Sequence, residues 1–292
     1  MTAIPVRGGP VRECQQDQNS RLGIFDSEPV ECRNYAAPVT SVPVQTGHAL
    51  PLTGERTIPG IPEENYWFRR HEAAYQALLP HCVGALVLEA GCGEGYGADL
   101  IAAVARTVVA LDYDITTARH VHRTYPRVVT VRANLAALPL GGASVDVVAN
   151  MQVIEHLWDQ RGFLAECARV LRPGGRLLLT TPNRITFSPG RDTPLNPFHT
   201  RELSPSELDE LLADAGFVVE TLTGLHHGPR LRELEAAHGG SIIGAQVDVV
   251  VSGEAWPAEL LADVAAVSTS DFVLSRDDIR ASLDLVAVAV RP

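Results

Sequence analysis

Hydrophobic and polar positions along the chain predict strands and helices in alternation. The clearest strand is at residues 85–88, where four apolar residues follow one another as in a strand buried on both faces of a sheet. The predicted strands are 85–89, 107–112, 128–132, 145–149, 176–181, 217–222 and 283–290. Strands that alternate with helices indicate an α/β fold with a doubly wound, mostly parallel sheet, here of seven strands.

Capping and breaking residues mark several of the predicted helices. Helical spacing of apolar residues begins after Glu63 and stops at Pro80. Helices are also expected at about 95–105 and 115–124 and around Phe163 to Leu171. The sequence Ser-Pro-Ser-Glu at 204–207 is a capping box with proline at the first helical position, and Gly216 would end that helix.

Composition divides the chain into two parts. Residues 1–62 contain eight prolines and no sustained apolar period, so we expect a flexible or loosely docked segment. Residues 63–292 form the predicted folded domain. Residues 226–281 are too long for an ordinary connection, and we interpret them as a substrate-side insertion before the last strand.

The net charge narrows the class of binding partner, and the cysteine content indicates the cellular compartment. The net charge of −11 disfavours binding to nucleic acid or to an anionic membrane, whereas a neutral sugar or small metabolite fits. Five cysteines without a Cys-x-x-Cys pair favour free thiols in a reducing cytosol. No apolar run approaches the roughly 20 residues of a membrane span, and no signal region is apparent, so we expect a cytoplasmic protein.

A glycine-rich turn follows the first strand and is the strongest chemical signal. Glu89 precedes four glycines at alternate positions from Gly91 to Gly97, and a helix is predicted directly after them. Such a turn lets the backbone approach a nucleotide-like cofactor and presents unpaired N–H groups to it. Residues 93–98 also fit the dinucleotide pattern G-x-G-x-x-A, so an NAD-dependent oxidoreductase is one alternative.

Polar residues at the ends of the next two strands fit the same kind of cofactor. Asp112 lies 19 residues after Gly93, where a carboxylate can accept hydrogen bonds from a ribose diol. Asn134 and Leu135 end the third strand, where a polar side chain and the neighbouring backbone can recognise an adenine edge.

These residues, with Val-Ile-Glu-His-Leu at 153–157 and Leu-Arg-Pro-Gly-Gly at 171–175, resemble the class I S-adenosylmethionine-dependent methyltransferases, whose sheet is Rossmann-like. The resemblance covers about residues 63–222. It implies that Gly91 and Gly93 pass beneath the methionine part of the cofactor and that Glu89 faces its ammonium group. Asn134 stands where the family often has Asp. The cofactor-binding residues that it implies are Glu89, Gly91, Gly93, Asp112, Tyr113, Asn134, Leu135 and Gln152, with Tyr66 and Arg70 from the preceding helix.

Tyr66, Trp67 and Arg70 lie on the helix that precedes the first strand. In the family such a helix often folds over the cofactor, and Arg70 could pair with the methionine carboxylate. The alternative is plain packing for Trp67 and a solvated face for Arg70. Cys92 lies inside the glycine turn, where we expect packing and no thiol chemistry.

A narrower resemblance concerns the acceptor. Residues 65–75, 181–183, 196–203, 228–232 and 238–243 are similar to an actinobacterial methyltransferase associated with methylglucose lipopolysaccharide, a cytosolic methylated α-glucan. This implies an oligosaccharide or polysaccharide acceptor that is O-methylated on glucose, at the 6-hydroxyl. The alternatives are a quinone or lipid methyltransferase and a non-catalytic cofactor-binding scaffold.

Methyl transfer to a sugar hydroxyl requires alignment and benefits from a general base. His156 follows the fourth strand and His199 follows the fifth, so both are candidate bases; either could instead only shape its loop. Glu155 beside His156 could belong to a magnesium site. Because adjacent helical residues do not face one point, we predict no metal. Trp256 or Phe272 in the insertion could stack on sugar faces.

Overall fold

The structure is a computed structural model and describes Leu50 and residues 56–292. Eight strands form one sheet in the order β3-β2-β1-β4-β5-β8-β6-β7. Strands β1 to β5 pair in parallel, and β8, β6 and β7 add antiparallel pairs at one side. The strands are β1 Leu86–Ala90, β2 Thr107–Asp112, β3 Val129–Arg132, β4 Val145–Met151, β5 Leu171–Pro182, β6 Val218–His227, β7 Phe272–Ser275 and β8 Asp284–Val290.

Helices cover both faces of this sheet, as the alternation of elements predicts. The helices are α1 Asn65–Leu78, α2 Tyr96–Ala102, α3 Ile115–Thr124, α4 Gln160–Val170, α5 Arg184–Phe187, α6 Pro205–Asp214, α7 Pro229–Ala237, α8 Ile242–Ser252 and α9 Ala258–Ala265. Short 3-10 turns lie at Pro62–Glu64, Leu79–Cys82, Ile154–His156, Thr269–Asp271 and Ile279–Ala281.

Two apolar cores lie on opposite faces of β1, because alternate side chains of a strand point to opposite sides. Val87 belongs to the core that α1, α2, α3 and the insertion helices complete. Leu86 and Leu88 belong to the core that α4 and α6 complete. Burial of both faces explains why β1 reads as an uninterrupted apolar run. The predicted α/β class and the doubly wound sheet are therefore confirmed.

The predicted count of seven strands is wrong by one. The eighth strand, β7, lies inside the insertion at 226–281 and pairs with residues 224–227 of β6. The sixth strand was predicted to end at residue 222, but β6 continues to His227 because β7 and β8 pair with it on either side. A four-residue strand within a helical region has too short a pattern to be recognised from sequence.

The helix start and the helix end that capping residues predict for 204–216 are present in the structure. Ser204 caps α6 with a complete capping box, and Gly216 adopts φ +83 just after the helix. At 173–175 the Pro-Gly-Gly run forms an irregularity in β5, since Leu171 pairs with Val145 and Arg176 with Val147. The glycine-rich turn lies between β1 and α2, at the carboxyl ends of the parallel strands.

Most of the predicted flexible segment, residues 1–62, lies outside the described residues. Within the described part, Leu50, Thr57 and Ile58 are buried. Cys82, Cys92 and Cys167 are buried free thiols, while Cys14 and Cys32 lie outside the described residues. Among the described helices, none has the length and apolar character that crossing a bilayer requires.

Candidate active site

A cavity of about 470 Å³ opens at the carboxyl ends of β1, β2 and β4, beside the glycine-rich turn. Ligands of open α/β sheets bind at this edge, where the connections leave a crevice. Gly91, Gly93, Asp112, Tyr113 and Gln152 line it together, as does Leu135, so the structure brings most of the predicted cofactor residues into one place.

The turn requires glycine at its first position. Gly91 has φ +89, and a β-carbon there would lie 2.7 Å from both methyl carbons of Val153. The backbone N–H groups of Gly91 and Cys92 both donate to the carbonyl oxygen of Leu111, which holds the turn against β2. Close approach and left-handed backbone together leave no room for a side chain.

Asp112 is fixed by the turn that it faces. Its Oδ2 accepts a hydrogen bond from Gly93 N at 3.0 Å, and its Oδ1 accepts one from Asp114 N at 2.9 Å. Burial raises the pKa of Asp112, and these two backbone donors oppose that effect. Each carboxylate oxygen can accept a second hydrogen bond, so the group remains able to hold a ribose diol.

Glu89 is fully buried at the end of β1, and its surroundings fit a cationic neighbour. Its Oε1 accepts a hydrogen bond of 2.6 Å from the Tyr75 hydroxyl, and Tyr75 itself lines the cavity. Its Oε2 has no partner among the described residues. Burial raises the pKa of Glu89 to about 8. An ammonium group within hydrogen-bond distance of Oε2 would satisfy this buried acceptor, and its charge would favour the carboxylate form and lower the pKa again.

Asn134 does not join its neighbour Leu135 in the cavity lining. Its side chain is exposed, and Oδ1 accepts a hydrogen bond from Ala136 N at 2.9 Å within its own turn. Local turn formation therefore competes with the predicted adenine contact.

Tyr66 and Arg70 do not line the cofactor cavity, contrary to the interpretation of α1. Arg70 is buried and donates from Nε and Nη2 to the two carboxylate oxygens of Asp284, at 2.6 and 2.5 Å. Tyr66 is buried with its hydroxyl 2.6 Å from Nε2 of His227. Because Asp284 is buried at the start of β8, it needs a counter-charge, and Arg70 supplies it.

Several residues that sequence reasoning missed also line this cavity, among them Arg56, Thr57 and His71. Thr57 Oγ1 lies 3.1 Å from the Tyr96 hydroxyl and 3.4 Å from Nδ1 of His71. Burial lowers the pKa of His71 to about 4, so its imidazole is neutral at physiological pH. One signal was available, because His71 and Tyr75 are four residues apart and share one face of α1.

A second chamber of about 440 Å³ adjoins the first. The two cavities share five lining residues, namely Arg56, Thr57, His71, Gln152 and His156. We call this second space the acceptor chamber. Trp256 lines it as predicted for a stacking residue, whereas Phe272 is buried against the ring of Tyr66 at a centroid distance of 5.6 Å.

Gln152 stands where the two cavities meet and has an unusual backbone. Its φ is +56, and its N–H donates to the carbonyl oxygen of Thr180 at 2.9 Å. Its side-chain Nε2 donates to Thr180 Oγ1 at 3.3 Å. Left-handed backbone at a non-glycine residue is a strained feature that often marks a functional site.

His156 lies on the 3-10 turn that follows β4. Its Nδ1 is 3.0 Å from the carbonyl oxygen of Phe198. Because a carbonyl oxygen can only accept, Nδ1 carries the proton and the lone pair of the neutral ring lies on Nε2. This tautomer suits a residue that takes a proton from an acceptor hydroxyl.

His199 has both ring nitrogens engaged by neighbouring side chains. Nδ1 lies 2.7 Å from Oε1 of the buried Glu202, and Nε2 lies 3.1 Å from Nδ2 of Asn196. Asn196 Oδ1 accepts from Phe198 N, which fixes the amide so that Nδ2 donates to His199. These contacts favour a positioning role for His199, and its ring centroid is 4.9 Å from that of His156.

The reason for predicting no metal does not hold in the structure. Potential ligand atoms of Glu155, His156 and His199 lie within 4.8 Å of one another, because the 3-10 turn differs from a regular helix. However, Glu155 Oε2 already accepts from the Thr181 hydroxyl at 3.0 Å. Burial raises the pKa of Glu155 to about 8. Because one carboxylate oxygen of Glu155 and both ring nitrogens of His199 are already engaged in hydrogen bonds, the absence of a metal stays our prediction.

Comparison with known proteins identifies the family. A family model described as a methyltransferase domain matches residues 88–179. A protein of Mycolicibacterium smegmatis, named a probable S-adenosylmethionine-dependent methyltransferase, is 67% identical over 247 residues, which cover 84% of this chain and 96% of that protein. One of the same description from Mycobacterium tuberculosis is 65% identical, covering 83% and 90%. The chain therefore belongs to the class I S-adenosylmethionine-dependent methyltransferases.

More distant matches agree with this. A ubiquinone biosynthesis O-methyltransferase of Parvibaculum lavamentivorans is 33% identical over 158 residues, or 49% of this chain and 62% of that protein. The crystal structure of an S-adenosylmethionine-dependent methyltransferase from Mesorhizobium loti has a TM-score of 0.50 at 17% identity, covering 76% and 98%. Because the mycobacterial relatives show the family, the cofactor is S-adenosylmethionine, which answers the NAD alternative.

Proposed function

We propose that this methyltransferase O-methylates glucose units of an α-glucan, a precursor of methylglucose lipopolysaccharide, at the 6-hydroxyl. The observation that supports an acceptor hydroxyl in the second chamber is that His156 lines both cavities. A residue at this junction lies between the cofactor and whatever occupies the chamber. Trp67 and Trp256 in the chamber wall can stack on sugar rings.

S-adenosylmethionine supplies an electrophilic methyl group on a positively charged sulfur. The chain's own residues would bind and orient the reactants: Asp112 would hold the ribose hydroxyls, and Glu89 would face the ammonium group. His156 Nε2 would take the proton of the acceptor hydroxyl as its oxygen bonds to the methyl carbon and the sulfur–methyl bond breaks, while the carbonyl oxygen of Phe198 keeps Nδ1 protonated. Much of the catalysis is alignment, and the base adds roughly 10²–10⁴-fold.

A phenolic or quinol acceptor is the second candidate. Two observations favour it: the similarity to ubiquinone biosynthesis O-methyltransferases over about half of the chain, and the apolar character of much of the chamber wall. A phenol ionises more readily than a sugar hydroxyl and would depend less on His156.

The deciding experiment is methyl transfer from labelled S-adenosylmethionine to short α-1,4-glucans, with a quinone precursor assayed in parallel. Label on the glucan supports the proposal, and mapping of the methylated position then tests the 6-hydroxyl. Label on the quinone precursor alone supports the second candidate. Label on neither, with S-adenosylhomocysteine still bound, contradicts both acceptors and leaves the scaffold alternative.

A further inference from the structure

We propose that the acceptor is amphipathic, a hydroxyl compound that carries an alkyl or acyl chain. Its hydroxyl reaches the junction of the two cavities, and its chain lies against α8 at the mouth of the acceptor chamber. This inference rests on the proposed function, since it assumes that the second chamber holds the acceptor. An acylated sugar and a chain-bearing phenol share this chemistry.

Polar side chains gather on the inner side of the chamber. Glu155, His156 and His199 have ligand atoms within 4.8 Å of one another, and His156 is also part of the cofactor cavity. Gln152 joins them from the junction. This polar group can orient one hydroxyl toward the cofactor. Other polar residues line the chamber as well, among them Arg56, Glu63, Glu64 and Asn196, so the chamber can also hydrogen-bond the rest of a polar head group.

The opposite side of the chamber is apolar and faces solvent. Helix α8 contributes Val247, Val250 and Val251 to the lining, and their exposed fractions are 41%, 70% and 81%. Contiguous exposed apolar residues beside a catalytic chamber indicate a binding surface. Aliphatic side chains supply no hydrogen bonds to a sugar, whereas they pack well against methylene groups.

Residues from the loop after β5 extend the apolar side from another direction. Leu195 and Phe198 line the chamber and are exposed to 52% and 43%. Trp256 follows α8 and completes the rim. Two segments distant in sequence, 195–198 and 247–256, thus present apolar side chains at one opening, which a solvated loop would not require.

The charge of α8 argues against an anionic bilayer as the occupant. Asp248 is its single charged residue, and none of its residues is basic. Surfaces that bind anionic lipids carry clusters of Lys or Arg. A single alkyl chain attached to a polar head group matches both the apolar mouth and the polar residues of the chamber. Its binding needs no basic cluster.

The test compares matched acceptors below their critical micelle concentrations: maltose with octyl maltoside, glucose with octyl glucoside, and catechol with 4-octylcatechol. Each buried methylene contributes about fourfold in affinity, so half-burial of an octyl chain should raise kcat/KM on the order of 100-fold. The double variant Val250→Asn/Val251→Asn should reduce this ratio at least about tenfold. The matched control Val218→Asn changes an exposed valine outside the chamber and should leave the ratio unchanged.

The outcomes separate this inference from the proposed function. Preference for an octyl glycoside supports an acylated sugar, and preference for 4-octylcatechol supports a chain-bearing phenol. Equal kcat/KM within every active pair overturns the inference while leaving methyl transfer intact. If no acceptor is methylated, the proposed function fails. Calorimetry of octyl glucoside with the S-adenosylhomocysteine complex then tests by itself whether the chamber binds an amphipathic compound. Binding that the double variant weakens supports an amphipathic site, whereas no binding, or valine-dependent binding to neutral vesicles alone, overturns it.

Discussion

The cofactor cavity and the acceptor chamber lie side by side but are built by different means. The cofactor cavity is formed mainly by strand ends and a backbone turn, with Gly91, Gly93 and Asp112 held by main-chain hydrogen bonds. The acceptor chamber is formed by side chains from α1, the loop after β5 and the insertion helix α8. Their shared wall contains His71, Gln152 and His156.

This difference separates the part of the enzyme that binds the cofactor from the part that would select the acceptor. A backbone turn with a carboxylate 19 residues later can hold a nucleoside-type cofactor whatever the acceptor is. In the proposal above, exposed valines and half-buried tryptophans from distant segments would carry the selectivity for the acceptor. Substitutions should therefore affect cofactor binding, turnover and stability separately, according to the cavity that they touch.

The largest expected effect is on turnover at the shared wall. His156→Ala should lower kcat by roughly 10²–10⁴-fold because the acceptor hydroxyl loses its base. The Kd of S-adenosylhomocysteine, measured by calorimetry, should stay within about twofold. His122→Ala, at an exposed position of α3, is the matched control. An unchanged kcat for His156→Ala would remove this residue as the base.

A second substitution tests whether Arg70 belongs to the scaffold. Arg70→Met leaves the buried carboxylate of Asp284 unpaired and should lower the free energy of unfolding by about 3–5 kcal/mol in urea denaturation. Arg70→Met combined with Asp284→Leu should recover much of this loss. If Arg70→Met unfolds with the wild-type free energy but binds the cofactor more weakly, Arg70 contacts the cofactor after all.

Asp112→Asn should act on the cofactor cavity alone. Loss of a charged hydrogen-bond acceptor for the ribose should weaken S-adenosylhomocysteine binding by about 10–100-fold. Asp99→Asn, which removes a surface partner of Arg127, should leave the Kd unchanged. Equal affinities of the wild type and Asp112→Asn would contradict the assignment of this carboxylate.

The pH dependence of stability tests the burial of Glu89. Its folded pKa of about 8 exceeds the unfolded value, so its contribution is fully present below about pH 4.5 and is lost as pH rises through 8. The contribution of Glu89 to Tm should therefore fall between pH 5 and 8. In Glu89→Gln that fall should shrink by at least roughly 2 °C, the effect of about 1 kcal/mol in a chain of this size. Parallel Tm curves would show that Glu89 does not titrate in this range.

The smallest expected effect is that of metal removal. Exhaustive dialysis against a chelator should leave kcat unchanged, because hydrogen bonds already engage Glu155, His156 and His199. Loss of activity that Mg²⁺ or Mn²⁺ restores would show that these three side chains hold a metal.

Short-range patterns in the sequence determined the sheet, the glycine turn and the place of Asp112. Each depends on residues close in the chain: the apolar run of β1, the glycines at alternate positions, and the capping box at Ser204. Backbone geometry of this kind is local, so it can be read before the chain is folded. Even β7 was missed only because four residues carry too little pattern.

Only the tertiary structure decided which side chains share a cavity. Arg70, which was predicted to bind the cofactor, pairs instead with Asp284, 214 residues away. His71 lies in the wall that the two cavities share. The tertiary structure also showed that the acceptor chamber presents valines at its mouth. Which face of a helix turns inward depends on packing against distant segments, and no local pattern encodes those partners.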